Sequence, residues 1–282
     1  MGCTHGLRAR DRPIVRWSCR VGGWLRANCL RICVTSLLVM SLCWISLFST
    51  PGQAIAVDFS YASLDTALTR HVREGRVDYG ALSRDRGPLS RFILAARDAR
   101  PDGWSRAERI AFWVNVYNAR VLDGVARRPG LKSVLDVGKT VGIPTMGFFR
   151  EKAVSGSRRI SLNDIEHEII RKGFHEPRLH FVLNCASISC PALPTHPLLA
   201  AGLDSTLDAA ARSFLLDRTK NELESASGLK LSSIFKWYRE DFMAAAGTLQ
   251  AFVQRQVGSR TSIPANAPIR FLDYDWSING HW

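Results

Sequence analysis

Two cysteines, Cys185 and Cys190, stand in the stretch "LHFVLNCASISCPALP", while the other five of the chain's seven lie within residues 1–43. Three chemistries suit such a pair. Zinc ligation fits poorly, because one pair at this spacing has no second Cys or His pair at a closing interval. A disulfide fits if the chain meets an oxidising compartment, since residues five apart can satisfy the Cα distance of roughly 4.4–6.8 Å. Nucleophilic catalysis fits if Cys185 enters a loop whose small residues Ala186, Ser187 and Ser189 offer free backbone N–H groups to a thiolate or an oxyanion. The last two readings stay open.

A thiolate nucleophile needs a base. His167, in "NDIEHEIIRKGF", and His180 are the candidates. If residues 179–184 form a strand, alternation puts His180 on the face opposite Cys185, which favours His167 and leaves His180, with Ser187, as a binding residue. Glu166 precedes His167, but adjacent helical side chains diverge too far for Glu166 to hold that ring. Asn115 and Asn118 lie three apart on one helical face. In an apolar helix each amide needs partners, because an unpaired buried group costs on the order of 1–3 kcal/mol. They either clasp neighbouring backbone or point an N–H at an oxyanion.

The elements that must position these residues can be read from periodicity. Ser105 stands three before Glu108, a capping-box pattern, and the following "RIAFWVNVYNARVLDGVARR" is apolar around nearly its whole circumference, ending at Gly130. Such a helix is buried on most sides. Further helices are expected over 59–73, 89–98, from Ser161 to Gly173, over 205–217, through "FKWYREDF" and over 249–257. Extended pieces are expected at 77–79, 179–184 and in "IRFLDY", with hairpins at Ser155-Gly156-Ser157 and around Ser227-Gly228. The fold class is α+β: a single domain over 57–282, with a buried central helix packed on a small, mainly antiparallel sheet and surrounded by other helices.

Residues 1–56 read as a secretory signal. Seven arginines precede an uncharged apolar run over 32–48, and Ala54 and Ala56 follow in an A-x-A arrangement. The expected location is therefore periplasmic or extracellular, with membrane contact only through the leader before cleavage. The leader holds seven of the chain's 38 Lys and Arg and one of its 25 Asp and Glu, leaving a mature net charge of +7. With no long basic run and no alternation of aromatic and basic residues, nucleic-acid binding has little support. No metal or other cofactor is implied, and the sequence does not fix an oligomeric state.

Five blocks, "AFWVNVYNARVL", "ISLNDIEHEIIR", "LHFVLNCASISCPAL", "LSSIFKWYREDF" and "FLDYDWSIN", together resemble the family called domain of unknown function 547. The family's W-[IV]-N-x-Y-N pattern falls on Trp113, Asn115, Tyr117 and Asn118, its I-E-H block on Ile165, Glu166 and His167, and its H-F-x-L-x-C block on His180, Phe181, Leu183 and Cys185. The resemblance implies a Glu, His and Cys constellation of the thiol-hydrolase kind. Many relatives keep the first cysteine but have serine in place of the second, which favours Cys185 as the working position. Where relatives often have glycine after the cysteine, this chain has Ala186. The expected activity is hydrolysis of a peptide or amide bond, with Cys185 as nucleophile, His167 as base, Glu166 tuning the histidine, and Asn115 or Asn118 at the oxyanion. The alternative is a non-catalytic cell-envelope binding or assembly module, and a weaker third reading is thiol-disulfide exchange by the cysteine pair.

Overall fold

The computed structural model describes residues 59–138, 146–224 and 228–282, so the expected signal segment at 1–56 lies outside the described residues. No helix among the described residues is long and apolar enough to cross a membrane. The chain forms an α+β fold around a long helix. It opens with α1 (Ala62–His71), β1 (Val72–Arg73), β2 (Arg76–Asp78), α2 (Tyr79–Arg84) and α3 (Gly87–Asp98). The central helix is α4 (Arg106–Ala126), and Ser105 and Glu108 cap it reciprocally as their spacing predicts. Fifteen of its 21 residues are buried, on every side, as a helix packed on most of its circumference requires. It stops four residues short of Gly130, which instead takes a left-handed turn conformation beyond the helix end.

After α5 (Gly147–Arg150), β3 (Ala153–Ser155) and β4 (Arg158–Ile160) form the predicted hairpin, antiparallel with Ser155 opposite Arg158. Its turn needs glycine. Gly156 has φ +56°, and a Cβ there would stand 2.6 Å from the Trp113 ring of α4. The next helix, α6, begins as Leu162–Asp164 behind a Ser161–Asp164 capping box, winds as a π-helix over Ile165–Arg171 and closes as Lys172–Phe174. The remaining helices are α7 (Leu203–Leu216), α8 (Ile234–Trp237), α9 (Arg239–Ala246) and α10 (Leu249–Val257). The strands β5 (Leu229–Leu231), β6 (Ile269–Phe271) and β7 (Gly280–His281) complete the described fold.

Strand pairing is divided among three small sheets rather than gathered in one. β1 pairs antiparallel with β2, β2 pairs parallel with β7, and β5 pairs parallel with β6. Around the second expected hairpin, an antiparallel bridge joins Glu222 to Lys230, while residues 225–227 lie outside the described ones.

One expectation fails in a way that matters. Residues 179–184 are not a strand: Pro177–Phe181 is a 3-10 helix followed by a loop. Pro177 sits at its first turn, where a missing N–H costs nothing, and the Glu176 carboxylate accepts from the Arg178 N–H to cap it. A short apolar run is compatible with either state, and here the cap and the proline decide. The alternation that separated His180 from Cys185 therefore does not exist.

Two hydrophobic clusters surround this segment. One gathers α1 to α6 around α4; the other gathers α7 to α10 with β5 and β6 and includes Phe181.

Candidate active site

The two asparagines of α4 act as clasps on backbone. Asn115 donates to the Leu198 carbonyl at 2.8 Å and accepts from the Leu198 N–H at 2.9 Å. Asn118 donates to the Val182 carbonyl and accepts from the Asn184 N–H. Both are buried. The central helix thus fixes the loop that carries the cysteines, and neither amide lines the cavity described below, where an oxyanion donor would stand.

Asn184 continues the lattice. Its amide donates to the Pro191 carbonyl, and its oxygen accepts from the Ala186 N–H and from Asn279, which in turn accepts from Tyr79. This closes the ends of the 185–190 loop on each other. Ala186 is held at φ +63°, fully buried, the left-handed conformation that glycine adopts more readily.

Cys185 and Cys190 are joined by a disulfide, with Cα atoms 6.2 Å apart. The Ser187 hydroxyl lies 3.0 Å and the Tyr274 hydroxyl 3.3 Å from the sulfur of Cys185. The sulfur of Cys190 receives the Cys185 N–H at 2.9 Å and the Tyr274 hydroxyl at 3.2 Å. Two hydroxyls and a backbone amide therefore already surround the sulfurs that would carry charge after reduction.

The pair lines a cavity of about 80 Å³ together with Glu166, His167 and His180. Tyr117 from α4, Trp237 from α8, and Tyr238, Tyr274 and Trp276 supply aromatic walls. Both Glu166 and His167 reach it, because the wider winding of a π-helix turns successive side chains through a smaller angle than an α-helix does. Glu166 accepts from Tyr117 at 3.0 Å and from Tyr238 on its other oxygen. Burial first, and then the Glu166 carboxylate, push both phenols well above their ordinary value, so they remain protonated donors.

The histidines differ in what they can do with a proton. Arg171 approaches Nδ1 of His167 at 3.0 Å, and arginine only donates. That bond occupies the one acceptor nitrogen of neutral His167 and leaves Nε2–H a donor. His180 has the opposite arrangement. Its Nε2 lies 2.7 Å from Asp241, a carboxylate that also accepts two bonds from Arg171, at 2.7 and 3.0 Å. An ionised carboxylate accepts, so Nε2 carries the proton and Nδ1 keeps a free lone pair. His180 also stacks on Tyr238, with ring centres 4.0 Å apart.

Burial pushes the Asp241 carboxyl up, but the hydrogen bonds and charges of His180 and Arg171 outweigh it and hold the group well below the ordinary carboxylate range. A group depressed on folding stabilises the fold above its unfolded value, near pH 4, and loses that contribution as pH falls through the lower folded value. The unfolding free energy should therefore decline below about pH 4. The same acid titration on Asp241→Asn should show a shallower decline, and an unchanged acid slope would contradict this.

The site thus defines a class first: an α+β domain whose central helix holds a cysteine loop against a cavity containing a carboxylate, two histidines and aromatic rings. Residues 101–215 match the model of the family described as Protein of unknown function, DUF547, which is the family the sequence blocks resemble. The first three of the five blocks lie within the match, and the last two lie beyond it. No curated protein matches the chain, and no solved structure does.

Tyr117, Tyr238 and Tyr274 also belong to the site and were not among the candidates, although all three stand within the quoted blocks. Asp241, in the same block as Tyr238, lies 61 residues from His180 and becomes its neighbour only through the packing of α9 on the 3-10 turn.

Proposed function

We propose that the protein is an exported thiol-dependent hydrolase of peptide or amide bonds, active when an external dithiol has reduced the Cys185–Cys190 bond. His180 Nδ1 takes the proton of Cys185, with Asp241 holding the resulting imidazolium. The thiolate attacks the substrate carbonyl, the C–N bond breaks, and the departing amine takes the proton from His180. Water, deprotonated by the same histidine, then cleaves the thioester, releasing the acid and returning the proton to the thiolate. His167, its acceptor nitrogen engaged by Arg171, orients substrate rather than acting as base. Export rests on the arginine-rich leader.

The observation that carries this reading is the lining of one cavity by Cys185 and a histidine already paired to a depressed carboxylate. The closed disulfide favours a second reading, a cell-envelope binding module in which the pair is a staple.

Iodoacetamide separates the two. After reduction, Cys185 should be labelled at pH 6–7 faster than in the denatured chain, read by peptide mass mapping, and His180→Ala should remove the excess. Labelling at or below the denatured rate would leave only the binding module.

A further inference from the structure

Glu166 is the one formally charged side chain among the described residues that line the cavity, and no Lys or Arg lines it. Its hydrogen bonds come from two neutral phenols, and it takes part in no ion pair among the described residues. Arg171, which feels the charge of Glu166 without pairing with it, stands 4.7 Å from the centre of the Tyr238 ring and is engaged by Asp241 through two bonds. Glu166 is half-buried, and a partly desolvated carboxylate that takes part in no ion pair is open to a ligand that supplies the missing charge.

The surrounding walls suit that charge. Trp237, Tyr274 and Trp276 form a mutual cluster, with Trp237–Tyr274 and Tyr274–Trp276 centres each 4.7 Å apart and Trp237–Trp276 centres 5.8 Å apart. Tyr117 and Tyr238 close the side nearest Glu166. Aromatic faces carry negative potential, and several around one small space hold an alkylated or protonated amine while rejecting an anion. Burial keeps the Tyr274 phenol neutral, as it does those of Tyr117 and Tyr238.

We infer that the cavity binds an organic ammonium group, held between Glu166 and the rings of Tyr117, Tyr274, Trp237 and Trp276. This rests on reading the cavity as the substrate site, and it gives the substrate of the proposed hydrolase a cationic amine close to the scissile carbonyl. It does not depend on the thiol chemistry.

The test is isothermal titration calorimetry on the full, oxidised chain, with choline and its uncharged isostere 3,3-dimethylbutan-1-ol as probes. Choline should bind at least tenfold more tightly than the alcohol. Glu166→Gln should weaken choline about tenfold and leave the alcohol unchanged. Trp237 is 45% exposed, so Trp237→Ala leaves the fold intact and should weaken choline about threefold. Equal binding of the two probes, no choline binding, or choline affinity indifferent to both substitutions would overturn the inference. Because the disulfide stays closed, that failure would leave the labelling experiment to decide the hydrolase separately. Slow labelling of Cys185 would in turn leave the ammonium site standing.

Discussion

Asp241→Asn is expected to lower kcat/KM of the reduced protein by about 10³ to 10⁴ on any amide substrate it cleaves, a loss of roughly 4–5.5 kcal/mol of transition-state stabilisation. The reason is charge. The Asp241 oxygen that receives His180 Nε2 also receives Arg171 Nε, so an asparagine keeps its oxygen towards both donors and loses the negative charge. The imidazolium formed when Nδ1 takes the thiol proton is then left beside a cationic Arg171 without its counter-ion, which removes most of what the general base contributes. A second readout separates this positioning role from a structural one. The alkylation of Cys185 in the reduced wild type should persist to acidic pH, whereas in Asp241→Asn its midpoint should move towards that of a free thiol, near 8.5. A folded variant with the wild-type alkylation profile would mean that Asp241 serves only the packing of α9.

The two histidines show how far the sequence could be read. His167 was legible as a candidate because it lies on a helix with a clear cap at Ser161, and that cap forms as its spacing predicts. Its competitor, His180, is assigned a binding role only on a strand alternation that a Pro177 start and a Glu176 cap replace with a 3-10 turn. The apolar run 179–183 carries no period that distinguishes the two states, so the signal lay in the two residues before it. The π winding of Ile165–Arg171 was not legible either, since it arises from packing against α4 and the 3-10 turn rather than from any composition cue. The burial of α4, the glycine hairpin and the α+β class were legible because each rests on local rules: a capping box, a turn dipeptide, and apolar residues on all sides of one helix. The aromatic walls were not. They come from three segments, at Tyr117, at Trp237 and Tyr238, and at Tyr274 and Trp276, and only the tertiary fold makes them one surface.

Asn184→Ala should be the most destabilising substitution in the cysteine loop, at about 4 kcal/mol, measured by urea unfolding as a lowered midpoint at unchanged slope. The side chain is buried, and its loss leaves the Pro191 carbonyl, the Ala186 N–H and the Asn279 amide without their partner. Each buried group so stranded costs on the order of 1–3 kcal/mol, with part recovered where the loop relaxes. Asn266→Ala, at an exposed position, should change stability by no more than about 0.5 kcal/mol. Asn118→Ala should fall between them, because it releases the Val182 carbonyl and the backbone N–H of Asn184 from the central helix while leaving the loop's internal bonds in place. The two asparagines hold one loop from opposite ends, one to α4 and one across its own neck. Once either clasp is gone, the loop has already relaxed part of what the other would hold. The double variant should therefore cost less than the sum of the single variants, by 0.5 kcal/mol or more on the scale of contacting residues. Strict additivity would mean that the clasps act on independent parts of the chain, and that the central helix does not set the position of the sulfurs.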